Sequence, residues 1–272
     1  MTWPVSRQSP AVVRAIARRD FDNARSYRLA WGLEAFAALL GVSLYYFISE
    51  TFREVDPAEL SGAPSYFAFA LVGVVLGFVI QSSTIGLTRR IREEQLTGTL
   101  EAVVVQPVRD ADLGLGLACY PFLNSGLRAG VYLLGADLVL GVDFSRADWL
   151  GLVLVLFATT LLFFALGLVF GAIVLLVKQA QAIAAIGTLT ITMLGGAYFP
   201  VAVLPGWLEP LASLAPTKMA FDGARAALYR GGGWGDDVLG LVAIAVVCIP
   251  LGLALFTASL RWQRRRGSIG EY

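Results

Sequence analysis

The stretch Arg89 to Pro107 reads RRIREEQLTGTLEAVVVQP and lies between two long apolar segments. Its charged residues, Arg89, Arg90, Arg92, Glu93, Glu94 and Glu101, with Arg109 and Asp110 just beyond, cannot lie in hydrocarbon, so the segment sits in water beside a membrane. Within it Leu96, Leu100, Val103 and Val104 fall at i, i+4, i+7 and i+8, one stripe of a helix. Gly98-Thr99 offers a break and an N-cap and Pro107 a stop, which predicts a short surface helix with one apolar side.

The rest of the chain is suited to lipid. Of 272 residues 57% are hydrophobic and 15% charged, with 29 glycines, and the mean hydropathy is +0.70. A soluble domain carries about 25% charge, so the composition is that of a polytopic membrane protein. The net charge of +1 gives no reason to expect a nucleic-acid partner. The chain has no histidine, which excludes imidazole bases, His-containing triads and His-ligated zinc. Cys119 and Cys248 both fall in apolar segments and read as small buried residues, neither a disulfide nor a metal pair.

Outward from the charged stretch, the pattern predicts six spans, at residues 29–49, 66–88, 113–141, 149–177, 182–199 and 238–260. The first 28 residues hold six arginines and no apolar core, so no cleavable signal peptide is expected. Val12, Val13, Ile16 and Phe21 among Arg14, Arg18, Arg19 and Arg25 make residues 1–28 either a basic amphipathic helix on the membrane surface or an ordinary positive flank. The first span carries Glu34, and the second ends in the polar run Gln81-Ser82-Ser83-Thr84. The third is longer than a bilayer requires, with Pro121 as a bend, and carries Arg128 and Asp137 on opposite faces, about 13 Å apart along the axis. Glu34, Gln81 and Arg128 are the polar groups that could line a pathway or pair between helices.

Between the last two spans, Pro200, Pro205, Pro210 and Pro216 cut the apolar stretches too short to cross. Such pieces either dip into one leaflet and return or float on the headgroups as a loop. Beyond Pro216, Phe221, Ala224 and Leu228 form an apolar side opposite Lys218, Asp222, Arg225 and Tyr229, an interfacial helix ended by Gly231-Gly232-Gly233. Fifteen of the 21 basic residues lie in the N-terminus, the 89–109 loop, the turn at Lys178 and the C-terminus. That asymmetry puts both termini and the charged stretch in the cytoplasm.

On two motifs the sequence resembles the permease subunits of the ABC-2 type transporter family. One is Arg92-Glu93-Glu94, then Gly98-Thr99-Leu100-Glu101, then Gln106-Pro107, with Gln95-Leu96-Thr97 intervening where some relatives run directly on. The other is GGAYFPVAVLPGWLEPLASLAPTKMAFDGARAAL, Gly195 to Leu228, with its aromatic-Pro, Leu-Pro-x-Trp and Asp-x-x-Arg elements. The resemblance implies an all-α membrane protein of six transmembrane helices, with a cytoplasmic amphipathic N-terminal helix and a re-entrant helical hairpin between spans five and six. It also implies a cytoplasmic coupling helix between spans two and three, in which Arg92, Glu93, Glu94, Gly98, Thr99, Leu100 and Glu101 dock on a separate ATPase subunit. Pro200, Leu204, Pro205, Trp207 and Pro216 would belong to an external gate. It implies a bacterial cytoplasmic membrane, two ATPase copies that bind ATP and magnesium, and a second permease, identical or homologous. The chain has no P-loop: its only lysines, Lys178 and Lys218, follow Val and Thr. A membrane-embedded lipid-modifying enzyme using Glu34, Arg128 and Asp137 lacks an acid-base spacing. An ATP-independent channel or carrier lacks an inverted repeat of broken helices.

Overall fold

Hydrocarbon offers no partner to a backbone N–H or C=O, so long apolar runs must close their hydrogen bonds within a helix. The computed structural model describes residues 9–26, 28–51, 60–96, 110–176 and 180–266, and all regular structure among them is helical. The long helices are α1 (Ser9–Ser26), α2 (Arg28–Thr51), α3 (Tyr66–Leu96), α4 (Asp110–Leu140), α5 (Trp149–Leu176) and α6 (Ala180–Leu194). A 3-10 turn (Val201–Val203), α7 (Glu209–Leu214) and α8 (Pro216–Arg225) follow, and α8 runs into a π turn (Ala226–Arg230) before α9 (Gly235–Arg266). Among the described residues three helices are long and apolar enough to cross a membrane, Tyr66–Glu93, Trp149–Leu175 and Gly235–Trp262. Ala182–Leu194 is a shorter apolar helix.

Helix α3 is the axis of the bundle. It packs against α2, α4, α5, α6 and α8, and Phe69 to Val72 are fully buried. Its start is set by Ser65, whose Oγ accepts the Ala68 N–H at 3.1 Å, an N-cap. The Ser49 hydroxyl of α2 accepts the Phe67 N–H at 3.1 Å and ties the two helices at this end. Contact between long helices without a hydrophobic drive from water depends on small residues that let backbones approach. A Cβ on Gly167 of α5 would meet the Ser83 carbonyl of α3 at 2.8 Å, and one on Gly252 of α9 would meet the Ala165 carbonyl of α5 at 2.8 Å. Glycine therefore sets the spacing of α3 to α5 and of α5 to α9.

Asp148 caps α5 and pins its neighbours. One carboxylate oxygen accepts the Gly151 N–H at 3.0 Å and the other the Trp234 indole N–H at 2.8 Å. Its own N–H donates to the Ala227 carbonyl at 2.8 Å. The Gly151 N–H first and the Trp234 N–H second hold the carboxyl below the usual aspartate range. A depressed folded-state pKa contributes stability in full above the unfolded value, about 3.9, and loses it as pH falls through the lower folded one. Asp148→Asn should therefore lower the melting temperature of the detergent-solubilised protein at pH 7. The gap to the parent should close as the pH is taken below the ordinary aspartate range, and a gap that widens on acidification would contradict this account.

Two elements depart from the sequence pattern. The second span, expected to end at residue 88, continues as α3 to Leu96, since no proline interrupts Tyr66 to Leu96, and the short helix expected between Gly98-Thr99 and Pro107 lies outside the described residues. The fifth apolar helix ends at Leu194, short of residue 199, because Gly196 takes a left-handed φ of 85° and turns the chain. Cys119 and Cys248 are free and half-buried.

Candidate transport and coupling site

At the charged end of α3 the contacts begin with α1. Ile16 of α1 lies against Gly116 of α4, so close that a Cβ there would meet the Ile16 Cδ1 at 2.8 Å. One turn on, Asp20 is turned inward, its side chain only 3% exposed, and accepts from Arg90 of α3 at 2.6 Å and from its neighbour Arg19 at 3.0 Å. Arg90 also reaches Glu93 at 3.4 Å, and Arg89 pairs with Glu93 at 3.1 Å. The amphipathic N-terminal helix is thus bolted onto the charged end of α3 by a buried carboxylate. Phe21, expected on the apolar side, is 57% exposed, while Asp20 takes the inward position at i+4 from Ile16. Sequence reasoning passed over Asp20 among the arginines, although an acid in register with Ile16 was the available signal.

Of the residues expected to couple, Arg92 is half-buried and Glu93 exposed on the last turns of α3. The Glu94 side chain and all of Gly98, Thr99, Leu100 and Glu101 lie outside the described residues, as does the stripe from Leu100 to Val104.

Further along the bundle, α2, α3 and α4 flank an open cleft of about 550 Å³. Gln81, Ser82 and Arg89 of α3 face Ser125 and Arg128 of α4 across it. Gln81 and Arg128, singled out separately as polar groups in apolar spans, therefore share one cleft. Ser83 and Thr84 do not: they are buried and donate back to the Val79 and Ile80 carbonyls at 2.7 and 2.8 Å. Asp137 is exposed elsewhere on α4, and the Glu34 side chain lies outside the described ones. A second cavity of about 210 Å³ adjoins it, sharing Phe78 and Gln81 and running between α2, α3 and α6 to Tyr198.

At the opposite end of α3, the segment after α6 folds back onto the helix start. Gly73 has no Cβ, and the Ala197 carbonyl occupies the space one would fill. Tyr66 donates to the Tyr198 carbonyl at 3.0 Å, Tyr229 to the Ala68 carbonyl at 2.9 Å, and Thr217 to the Ile191 carbonyl at 2.8 Å. Arg225 is at the centre. Its guanidinium lies 3.5 Å from the Phe69 ring centroid and donates to the Gly196 carbonyl at 2.8 Å and the Phe69 carbonyl at 3.3 Å. Asp222 stands 3.7 Å away, itself bonded to Lys218 at 2.7 Å. Burial lowers the Arg225 pKa to about 10, with Asp222 opposing, so the group stays charged at neutral pH.

This corrects the amphipathic picture of the segment. Arg225 is only 1% exposed, so it belongs to the interior and not to a polar side with Lys218. The partners that satisfy it lie 29 and 156 positions away and could not be read locally. Of the expected gate residues, Pro200 precedes the 3-10 turn, Pro216 opens α8, Leu204 is half-buried, and Pro205 and Trp207 are exposed. Trp207 is 72% exposed and lines neither cavity.

Helices long and apolar enough to cross a bilayer, with exposed Leu33, Phe36, Leu40 and Leu44 down one side of α2, define a helical membrane protein. The chain matches the ABC-2 type transporter family over residues 13–229. It belongs to that family, the ABC-2 type permeases. It is similar to the linearmycin resistance permease protein LnrN of Bacillus subtilis (strain 168), with 23% identity over 207 residues. The match covers 76% of this chain and 51% of that protein, so the chain spans about half the length of the curated relative it matches.

Proposed function

We propose that this permease is the membrane subunit of an ATP-driven exporter that moves an amphiphile, a drug, lipid or lipid-linked glycan, out of the cytoplasm of a bacterial cell. The observation that carries the proposal is the family match over 13–229, joined to a charged helix end clamped to a second helix. A coupling element can transmit a rigid-body movement only if it is stiff and held at its base. The continuous α3 and the Asp20–Arg90 pair supply those properties. The energy source would be two separate ATPase subunits that bind ATP and magnesium, since no P-loop sequence occurs in the chain. Closure of that pair would tilt the α3 ends and alternate the access of a path between two permease chains. In this arrangement six spans cross the membrane with both termini cytoplasmic. Arg92, Glu93, Glu94, Gly98, Thr99, Leu100 and Glu101 would dock on the ATPase, and the segment from Pro200 to Pro216 would close the external end. The name of the relative, a linearmycin resistance permease protein, supports outward transport of a compound harmful to the cell.

The test is coexpression with an ATP-binding subunit encoded beside it, followed by purification through a tag on the permease. The subunit should copurify and hydrolyse ATP. Glu93→Arg with Glu101→Arg should reduce recovery of the ATPase about tenfold, by placing like charges across a complementary surface. Undiminished recovery with the reversed charges would remove the docking assignment.

A further inference from the structure

Helix α9 starts beside α8, and a carboxyl group stands at the contact. Asp237, in the first turn of α9, is half-buried. A Cβ on the buried Gly223 of α8 would meet the Asp237 Cβ at 3.0 Å, its Oδ2 at 3.4 Å and the Val155 Cγ2 of α5 at 3.3 Å. Asp237 therefore occupies the place that a side chain at position 223 would take. The residue before that glycine is Asp222, whose charge is already matched by Lys218 at 2.7 Å and Arg225 at 3.7 Å. Among the described residues no hydrogen bond or ion pair holds the Asp237 carboxyl group. The charged groups that act on it are Lys218 and Asp222 of α8, Arg230 of the π turn and its neighbour Asp236. Asp237 precedes the span expected at residues 238–260, on the rim of the bundle where Asp236 is exposed. Burial first and Asp222 second raise its pKa to about 6, with Lys218 and Arg230 opposing and Asp236 adding to the rise.

We propose that Asp237 is a proton-operated latch between α9 and α8: protonated, it lets the two helices close over Gly223, and ionised, it sets a half-buried charge against Asp222 and loosens them. Helix α8 also carries Arg225, which ties the folded-back segment to the start of α3. The latch thus governs how firmly that segment is held. A folded-state pKa above the unfolded value, about 3.9, means that the stabilising contribution is complete below that value and is lost as the pH rises through the folded one. The side from which the proton comes rests on the topology proposed above, in which this end faces out of the cell. The latch itself requires neither ATPase nor substrate.

The experiment uses the full chain purified in a neutral maltoside detergent, with amide hydrogen exchange followed by mass spectrometry between about pH 4 and pH 8. Protection is expressed relative to the free-peptide rate at each pH, which removes the intrinsic pH dependence of exchange. In the parent, protection of the α8 amides should fall about tenfold as the pH rises, with the fall centred between the ordinary aspartate value and about 6. A rise from about 3.9 to about 6 sets a ceiling of about a hundredfold, and water at the exposed part of the carboxyl group screens much of it. Asp237→Asn, close in size and without the charge, should hold α8 protection nearly constant, about tenfold above the parent at pH 8 and near parity at pH 4. Amides of α1, at the other end of the bundle, should not differ between the two chains. If the asparagine variant fails to fold, Lys218→Gln keeps the test open at a side chain 35% exposed: loss of a cation that favours the ionised carboxylate should carry the fall in α8 protection to higher pH. Equal α8 protection in the parent and Asp237→Asn at pH 8 would overturn the proposal. So would a gap of constant size from pH 4 to pH 8, the mark of a purely structural role, or a fall that Lys218→Gln leaves at the parent's pH. ATPase copurification depends on the other end of α3, so the two claims fail separately.

Discussion

Arg225→Leu is expected to destabilise the permease by about 3–5 kcal/mol, the range for breaking a buried charged network by removing one member. The cost has three sources. The Gly196 carbonyl loses a donor at 2.8 Å in a non-helical turn, which costs on the order of 1–3 kcal/mol for a buried acceptor. The Phe69 ring loses a guanidinium held 3.5 Å from its centroid, a contact of about 2 kcal/mol when desolvated. Leucine also leaves unfilled space at a site with 1% exposure. The Phe69 carbonyl suffers less, since an α3 carbonyl at that position is also served by the helix. Arg225→Lys should recover less than half of the loss, because an ammonium cannot stack on Phe69 and reach both carbonyls together. Thermal unfolding of the detergent-solubilised chain measures both variants. A leucine variant that melts with the parent would show that this arginine does not hold the folded-back segment.

How legible such groups were depends on the range of their contacts. Helices α3, α5 and α9 follow from runs of apolar residues, whereas the N-caps at Asp148 and Ser65 came only with the structure. Gln81 and Arg128 could be flagged one at a time, since a polar group in an apolar span needs an explanation. Their meeting across a single cleft depends on how α3 and α4 pack, which no local pattern contains. Arg225 was placed on the wrong side of its helix because helical periodicity sorts polar from apolar residues as if the polar face met water or headgroups. Here the polar partners are carbonyls exposed by the turn at Gly196 and by the start of α3. A glycine pair and a proline series announced that the chain breaks after α6. They could not announce that Ala197 would be pressed onto Gly73. The second span was expected to end at residue 88 because charge marks the membrane boundary, yet charge by itself does not end a helix, and α3 carries on to Leu96.

The second large effect is expected at the other end of α3. Asp20→Asn should cost about 2–3 kcal/mol, because the carboxylate is 3% exposed and accepts from both Arg90 and Arg19. An amide keeps the shape and loses the charge, and its NH2 would face a guanidinium. Arg19, 42% exposed, can turn to water, whereas Arg90 is 26% exposed and also pairs with Glu93 at 3.4 Å. The loss should therefore be concentrated in the Asp20–Arg90 pair, and a double-mutant cycle with Arg90→Gln should give a coupling of about 2 kcal/mol. Hydrogen exchange adds a spatial test. Amides of α1 should exchange faster in Asp20→Asn while those of α5 and α9 keep the parent rates, since α1 packs mainly on α4 and this ion pair. If the pair also serves the proposed coupling, the variant should retain bound ATPase and lose transport per ATP hydrolysed, because a loosened helix base absorbs the movement it should pass on. A coupling energy near zero with unchanged exchange in α1 would show that Asp20 does not fasten α1 to α3.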